Sequence, residues 1–116
     1  MPPNDDILRY QHMLDAAQKA VEFLKNRKRN DLDTDVQLSF ALVRALEIIG
    51  EAANKITEDG RSMCPTLPWQ DIIGMRNRIV HAYFDIDLDR VWDTIIFDLP
   101  PLIDEVHKFL KKYEEK

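Results

Sequence analysis

Most of the chemistry this sequence offers sits in one stretch, Met75-Arg76-Asn77-Arg78-Ile79-Val80-His81-Ala82-Tyr83. Two arginines, an asparagine, a histidine and a tyrosine fall between positions 76 and 83. A guanidinium presents a planar fork of donors that fits a phosphate. An imidazole takes and gives a proton near neutral pH. The set therefore suits reactions at a phosphate. A structural reading stands beside it: His81 would cap helix carbonyls and favour the dipole, while Tyr83 and Phe84 would close a hydrophobic core.

Spacing sharpens the choice. Five helical residues turn through roughly 500°, so Arg76 and His81 would project about 140° apart on a straight helix. Seven residues return almost to the starting direction, so Arg76 and Tyr83 would share a face. One continuous helix does not bring Arg76 and His81 to one atom. Either the helix ends near His81 and the ring swings back, or a second copy of the chain supplies the missing partner. A two-fold axis would line one cleft with two arginines and two histidines.

The elements that must position this stretch read as helices. Ile7, Tyr10, Leu14, Ala17, Val21 and Leu24 recur at alternating steps of three and four, which predicts a helix starting near Asn4 to Asp6. Lys25, Arg27, Lys28 and Arg29 follow it, as a favourable helix end or as a contact for a nucleic-acid backbone. Asn30 to Asp33 reads as a turn, and Thr34 with Gln37 as a capping box. The second helix then runs to about Ile56 with the stripe Val36, Leu42, Val43, Leu46, Ile49, Ala53 and Ile56. Ala45, Ile48 and Ala52 widen that face, which predicts burial on more than one side. Gly50 costs roughly 1 kcal/mol of helix propensity, so another helix is expected to approach closely there. Thr57 to Pro68 reads as a loop. Pro68 opens a third helix, which carries the motif, buries Trp69, Ile72 and Ile73, and ends between His81 and Phe84. Asp85-Ile86-Asp87 is a turn with Asp87 as cap of a fourth helix. Pro100 and Pro101 cannot donate to the carbonyls of Ile96 and Phe97, which predicts a kink or two abutting helices. The fold class is all-α, an antiparallel four-helix bundle over residues 1–116 as a single domain.

Bulk properties narrow the function classes. A chain of 116 residues can bury a core without staples. Its net charge of -5 argues against a nucleic-acid coat protein, though not against an enzyme with one local basic site. Cys64 is the single cysteine, so no intrachain disulfide forms and a cytoplasmic home is expected. No Cys/His spacing suggests a zinc site. The acidic start, Met1 to Asp6, has no apolar run behind it, and no stretch approaches a membrane span.

The stretch Arg76-Asn77-Arg78-Ile79-Val80-His81-Ala82-Tyr83 matches the Arg-x4-His-x-Tyr pattern and resembles that of HepT-like toxins of the HEPN superfamily. Leu46-Glu47-Ile48-Ile49-Gly50-Glu51-Ala52-Ala53 is also similar to the family's pattern. So are Tyr83-Phe84-Asp85-Ile86-Asp87 leading to Trp92, and the step Asp98-Leu99-Pro100. The likeness covers essentially the whole chain. It implies a metal-independent endoribonuclease toxin, a homodimer with its active cleft at the interface. It implies an MntA-like nucleotidyltransferase antitoxin that transfers AMP from ATP onto Tyr83. It implies no cofactor.

Those roles agree with the residue types. RNA carries its own nucleophile, the 2′-OH, so one placed base can start attack on the adjacent phosphate. His81 is assigned to proton transfer and Arg76 to the charge on the pentacoordinate phosphorus. Asn77 is a candidate to orient the phosphate or the arginine. Arg78 is a candidate to steer RNA, or to make a surface salt bridge. Glu51 is a candidate to orient His81 or Arg76, or a solvated carboxylate. AMP on Tyr83 would add bulk and negative charge beside the site and repel RNA. Two other classes remain: a non-catalytic helical subunit that binds a nucleotide beside a nucleotidyltransferase, and a plain dimerisation domain with structural caps.

Overall fold

Three long apolar stripes, in the first helix, the second and the last, dictate where this chain buries its surface. The structure, a computed structural model, describes residues 4–82 and 85–114. It is all-α apart from one short ladder. The first helix, α1 (Asn4–Phe23), packs along α3 (Val36–Lys55) and α8 (Leu99–Glu114). Its buried face is rotated from the expected stripe: Tyr10, Met13, Ala17, Ala20 and Leu24 are inside, whereas Val21 is exposed. The small side chains of Ala16, Ala17 and Ala20 turn inward where two other helices crowd α1.

The expected turn at Asn30 to Asp33 closes into a short helix, α2 (Asp31–Thr34). That moves the cap of α3 by one residue. Asp35, not Thr34, accepts a hydrogen bond from the Leu38 amide at 3.0 Å, because its extended backbone aims the carboxylate at the third helical N–H. Leu42, Leu46, Ile49 and Ala53 form the buried stripe of α3, widened by Ala45 and Ala52. Val36, expected in that stripe, is 62% exposed. The reading of Gly50 holds: a Cβ there would lie 3.2 Å from the Ile72 carbonyl oxygen.

The expected loop after Ile56 contains a helix, α4 (Glu58–Ser62), capped by the Thr57 hydroxyl, which accepts from the Gly60 amide at 3.1 Å. Asp6, only 1% exposed, accepts from the Thr57 amide at 3.0 Å and from its hydroxyl at 2.6 Å. The Tyr10 hydroxyl donates to the Gly60 carbonyl at 2.7 Å. Two groups on α1 thus pin α4, satisfying buried polar atoms that would otherwise cost stability. Cys64 is buried beside Tyr10 rather than sitting in an open loop. Burial pushes both the Tyr10 phenol and the Cys64 thiol above their ordinary values.

The third helix departs most from expectation. It breaks at Gly74 into α5 (Trp69–Ile73) and α6 (Met75–Ile79), and it ends at Ile79 rather than between His81 and Phe84. The strand β1 (Val80–Ala82) follows and pairs antiparallel with β2 (Asp85–Ile86), Val80 opposite Ile86. The β-branched pair Ile79-Val80 favours extended backbone. The Asp87 amide then donates to the Ile79 carbonyl at 2.7 Å, satisfying a group the helix leaves free.

Asp87 caps α7 (Leu88–Asp93) as expected, accepting from the Arg90 amide at 3.0 Å. A π-helical segment, Thr94–Asp98, then leads into α8. Its wide turn stands where a kink was expected. The Leu99 amide reaches back to Thr94, and the two prolines fall in the first turn of α8, where a missing N–H costs least. Leu99, Leu102, Val106 and Leu110 of α8 complete the core. No helix among the described residues is long and apolar enough to cross a membrane.

Candidate functional site

Arg76 stands in the short helix α6, on the flank of α3. Its Nε donates to Glu47 Oε2 at 3.0 Å. The Glu47 side chain is 24% exposed and that of Arg76 is 56% exposed. The carboxylate is therefore the fixed partner. It holds the root of the guanidinium while the fork stays open to solvent. A fork anchored on one edge keeps donors for a phosphate on the other.

His81 lies on β1, past the end of the helix, so the helical spacing that would send it away from Arg76 does not apply. Its Nε2 is 3.7 Å from Asp87 Oδ2, and its side chain is about half exposed. Asp87 thus has two jobs: it caps α7 and it faces the imidazole. The Arg90 amide, and after it His81, hold the Asp87 carboxyl below the usual carboxylate range. It is anionic at neutral pH and pairs with the ring whenever the ring is protonated.

The remaining candidates divide. Asn77 is exposed on α6, with its backbone amide bound to the Gly74 carbonyl at 3.1 Å. Arg78 is engaged by Asp71, in a pair open to solvent on both sides, which matches its surface salt-bridge reading. Glu51 pairs with Arg44 on its own helix at 3.5 Å, both side chains well exposed. It orients neither Arg76 nor His81. Glu51 thus matches its reading as a solvated carboxylate, and Glu47, one turn earlier on α3, is the carboxylate that meets Arg76. Tyr83 lies outside the described residues.

Sequence reasoning missed two partners, Glu47 for Arg76 and Asp87 for His81. Asp87 was visible as a cap. Its second contact needs the strand pairing that brings β1 back beside the start of α7. Glu47 and Glu51 are four residues apart on α3, and spacing alone cannot choose between two carboxylates on one helical face. Among the described residues no group of three His, Cys, Asp or Glu side chains could hold a metal ion. The arrangement offers two exposed cationic or titratable groups, each steadied by a carboxylate from another element. A guanidinium can stabilise charge on an anion, and an imidazole can move a proton.

Known proteins are similar to this chain in sequence. A protein of Methanocaldococcus jannaschii with the provisional name of an RNase is 33% identical over 116 residues, covering 100% of this chain and 96% of its own. A second from that organism, also provisionally named an RNase, is 37% identical over 94 residues, 81% of this chain and 86% of its own. A protein of Thermococcus cleftensis, provisionally named ribonuclease HepT, is 38% identical over 90 residues, 78% of this chain and 82% of its own. No solved structure matches the chain. The family model described as ribonuclease HepT-like matches residues 13–109. On that match, and on relatives above 30% identity along most of its length, the chain belongs to the ribonuclease HepT-like family.

Proposed function

We propose that this member of the ribonuclease HepT-like family is a metal-independent endoribonuclease acting through Arg76 and His81. The observation that carries the reading is the pair of steadied groups: Arg76 held by Glu47, and His81 facing Asp87. His81 takes the proton of the RNA 2′-OH. The 2′-oxygen then bonds to phosphorus, and the bond to the departing 5′-oxygen breaks. Arg76 meets the negative charge that gathers on the phosphoryl oxygens. Asp87 supports the imidazolium as it forms. Asn77, exposed beside Arg76, completes the polar surface toward the phosphate.

The active form is a homodimer with its cleft at the interface. A second histidine from the other protomer there delivers the proton to the 5′-oxygen. The protein is the toxin of a toxin–antitoxin pair, with an MntA-like nucleotidyltransferase as antitoxin. That partner silences it by placing AMP on Tyr83, two residues beyond His81, where an added phosphate repels RNA.

Total RNA incubated in EDTA with the pure chain and with His81→Ala, resolved on a gel, tests the reading. Cleavage by the wild type alone is expected. Cleavage by neither, with mass spectrometry showing Tyr83 free of AMP, would assign a non-catalytic nucleotide-binding subunit instead.

A further inference from the structure

A cavity of about 440 Å³ opens between α5–α6 on one side and α7, the π segment and α8 on the other. Its size falls within the range of small-molecule sites. Met75, Ile79, Leu99 and Leu102 give it an apolar lining. Arg76 and His81 are not part of its wall. Arg78 and Ile79, which line it, lie between them in the motif. Arg90 also lines it, and the Arg90 amide is what holds Asp87, the carboxylate facing His81.

The π segment adds an independent pointer. Single π turns inside helices recur at functional sites, because the irregular ladder costs stability and re-aims side chains. Here Thr94, Phe97 and Asp98 of that segment all face the cavity. Phe97 is 68% exposed, an aromatic ring left in water at the cavity's edge. Single-stranded RNA is read through unstacked bases that stack on aromatic rings and bond along their edges.

The geometry points to a nucleobase pocket: the cavity receives the base next to the scissile phosphate, stacked on Phe97, with Arg90 meeting a backbone phosphate at the rim. This rests on the ribonuclease reading and names the substrate feature that reading leaves open. The Asp98 carboxylate accepts from an exocyclic amine, so adenine, cytosine or guanine is preferred over uracil.

The test uses full-length His81→Ala protein, so binding is read without cleavage, and the four nucleoside 3′-monophosphates as probes, with inorganic phosphate as reference. Binding is followed by amide chemical shifts. An amino-bearing nucleotide should shift residues lining the cavity and bind at least tenfold more tightly than uridine 3′-monophosphate. Phe97→Ala should weaken it about tenfold while leaving the melting temperature unchanged, since the ring is exposed. Asp98→Asn should erase the preference over uracil. Equal shifts from phosphate alone, or unaltered binding in Phe97→Ala, would overturn the pocket. So would shifts at the cavity that follow protein concentration rather than nucleotide, which would assign it to contact between copies. Cleavage by the wild type without cavity binding would sink the pocket and spare the ribonuclease reading. Cavity binding without any cleavage would do the reverse.

Discussion

Glu47 offers the sharpest perturbation, because its effects on stability and on activity should separate. The pair with Arg76 is 3.0 Å long, but the arginine is 56% exposed. Solvent screens such a pair, and its worth to folding is at most about 1 kcal/mol. Glu47→Ala should therefore lower the melting temperature by less than about 5 °C. The guanidinium it releases is the proposed charge stabiliser, and a misplacement of about 1 Å costs on the order of 10²-fold in rate. That factor corresponds to about 2.7 kcal/mol of transition-state stabilisation, well above the folding effect. Glu47→Gln keeps an acceptor for Nε without the charge, so it should fall between, with about a tenfold loss. Glu51→Ala removes only the exposed contact to Arg44 and serves as control. The assay is kcat/KM on a fluorogenic RNA beside a thermal melt. Wild-type activity in Glu47→Ala would refute the positioning role. So would faster cleavage, which would mean that Glu47 restrains Arg76. A melt lower by more than 10 °C would mark the residue as structural.

Further outcomes follow from the same contacts. A Cβ at position 60 would fall 2.7 Å from Asp6 Cγ and 2.8 Å from Ile56 Cγ2, so Gly60→Ala should lose about 1–3 kcal/mol in urea unfolding. The Cys64 thiol, buried and pushed up, should react with a disulfide reagent only as fast as the fold opens, and rapidly in urea. The Asp87 carboxyl has a lowered folded pKa, so its contribution is present above the unfolded value, about 3.9, and lost as pH falls through the lower folded one. The stability gap between wild type and Asp87→Ala should accordingly hold at neutral pH and close in acid.

The long elements were legible because burial is periodic. The stripe of α3, the cap at Asp87 and the close approach at Gly50 follow from local spacing and chemistry. Where the reading failed, tertiary contacts had overridden local preference. Nothing in the spacing shows that α1 turns Met13 rather than Val21 inward; that follows from the neighbours it packs between. Thr57 to Pro68 looked like loop because the contacts that order it, from Asp6 and Tyr10, come from about fifty residues away. The two prolines announced an irregularity, while its form as a π turn at Thr94–Asp98 is not written in their positions. The motif itself was visible as residue types. Its geometry was not, since the helix stops at Ile79 for a strand pairing that spacing alone does not reveal.

The central claim is that the RNA's own 2′-OH attacks at a site built from Arg76 and His81. The most direct measurement is the chemistry of the new ends, read by mass spectrometry after cleavage of a defined oligoribonucleotide in EDTA. A 2′,3′-cyclic phosphate facing a 5′-hydroxyl is the result the account predicts, absent from His81→Ala and from a substrate deoxygenated at the cut site. A 3′-hydroxyl facing a 5′-phosphate would mean that water attacks instead, and would contradict it.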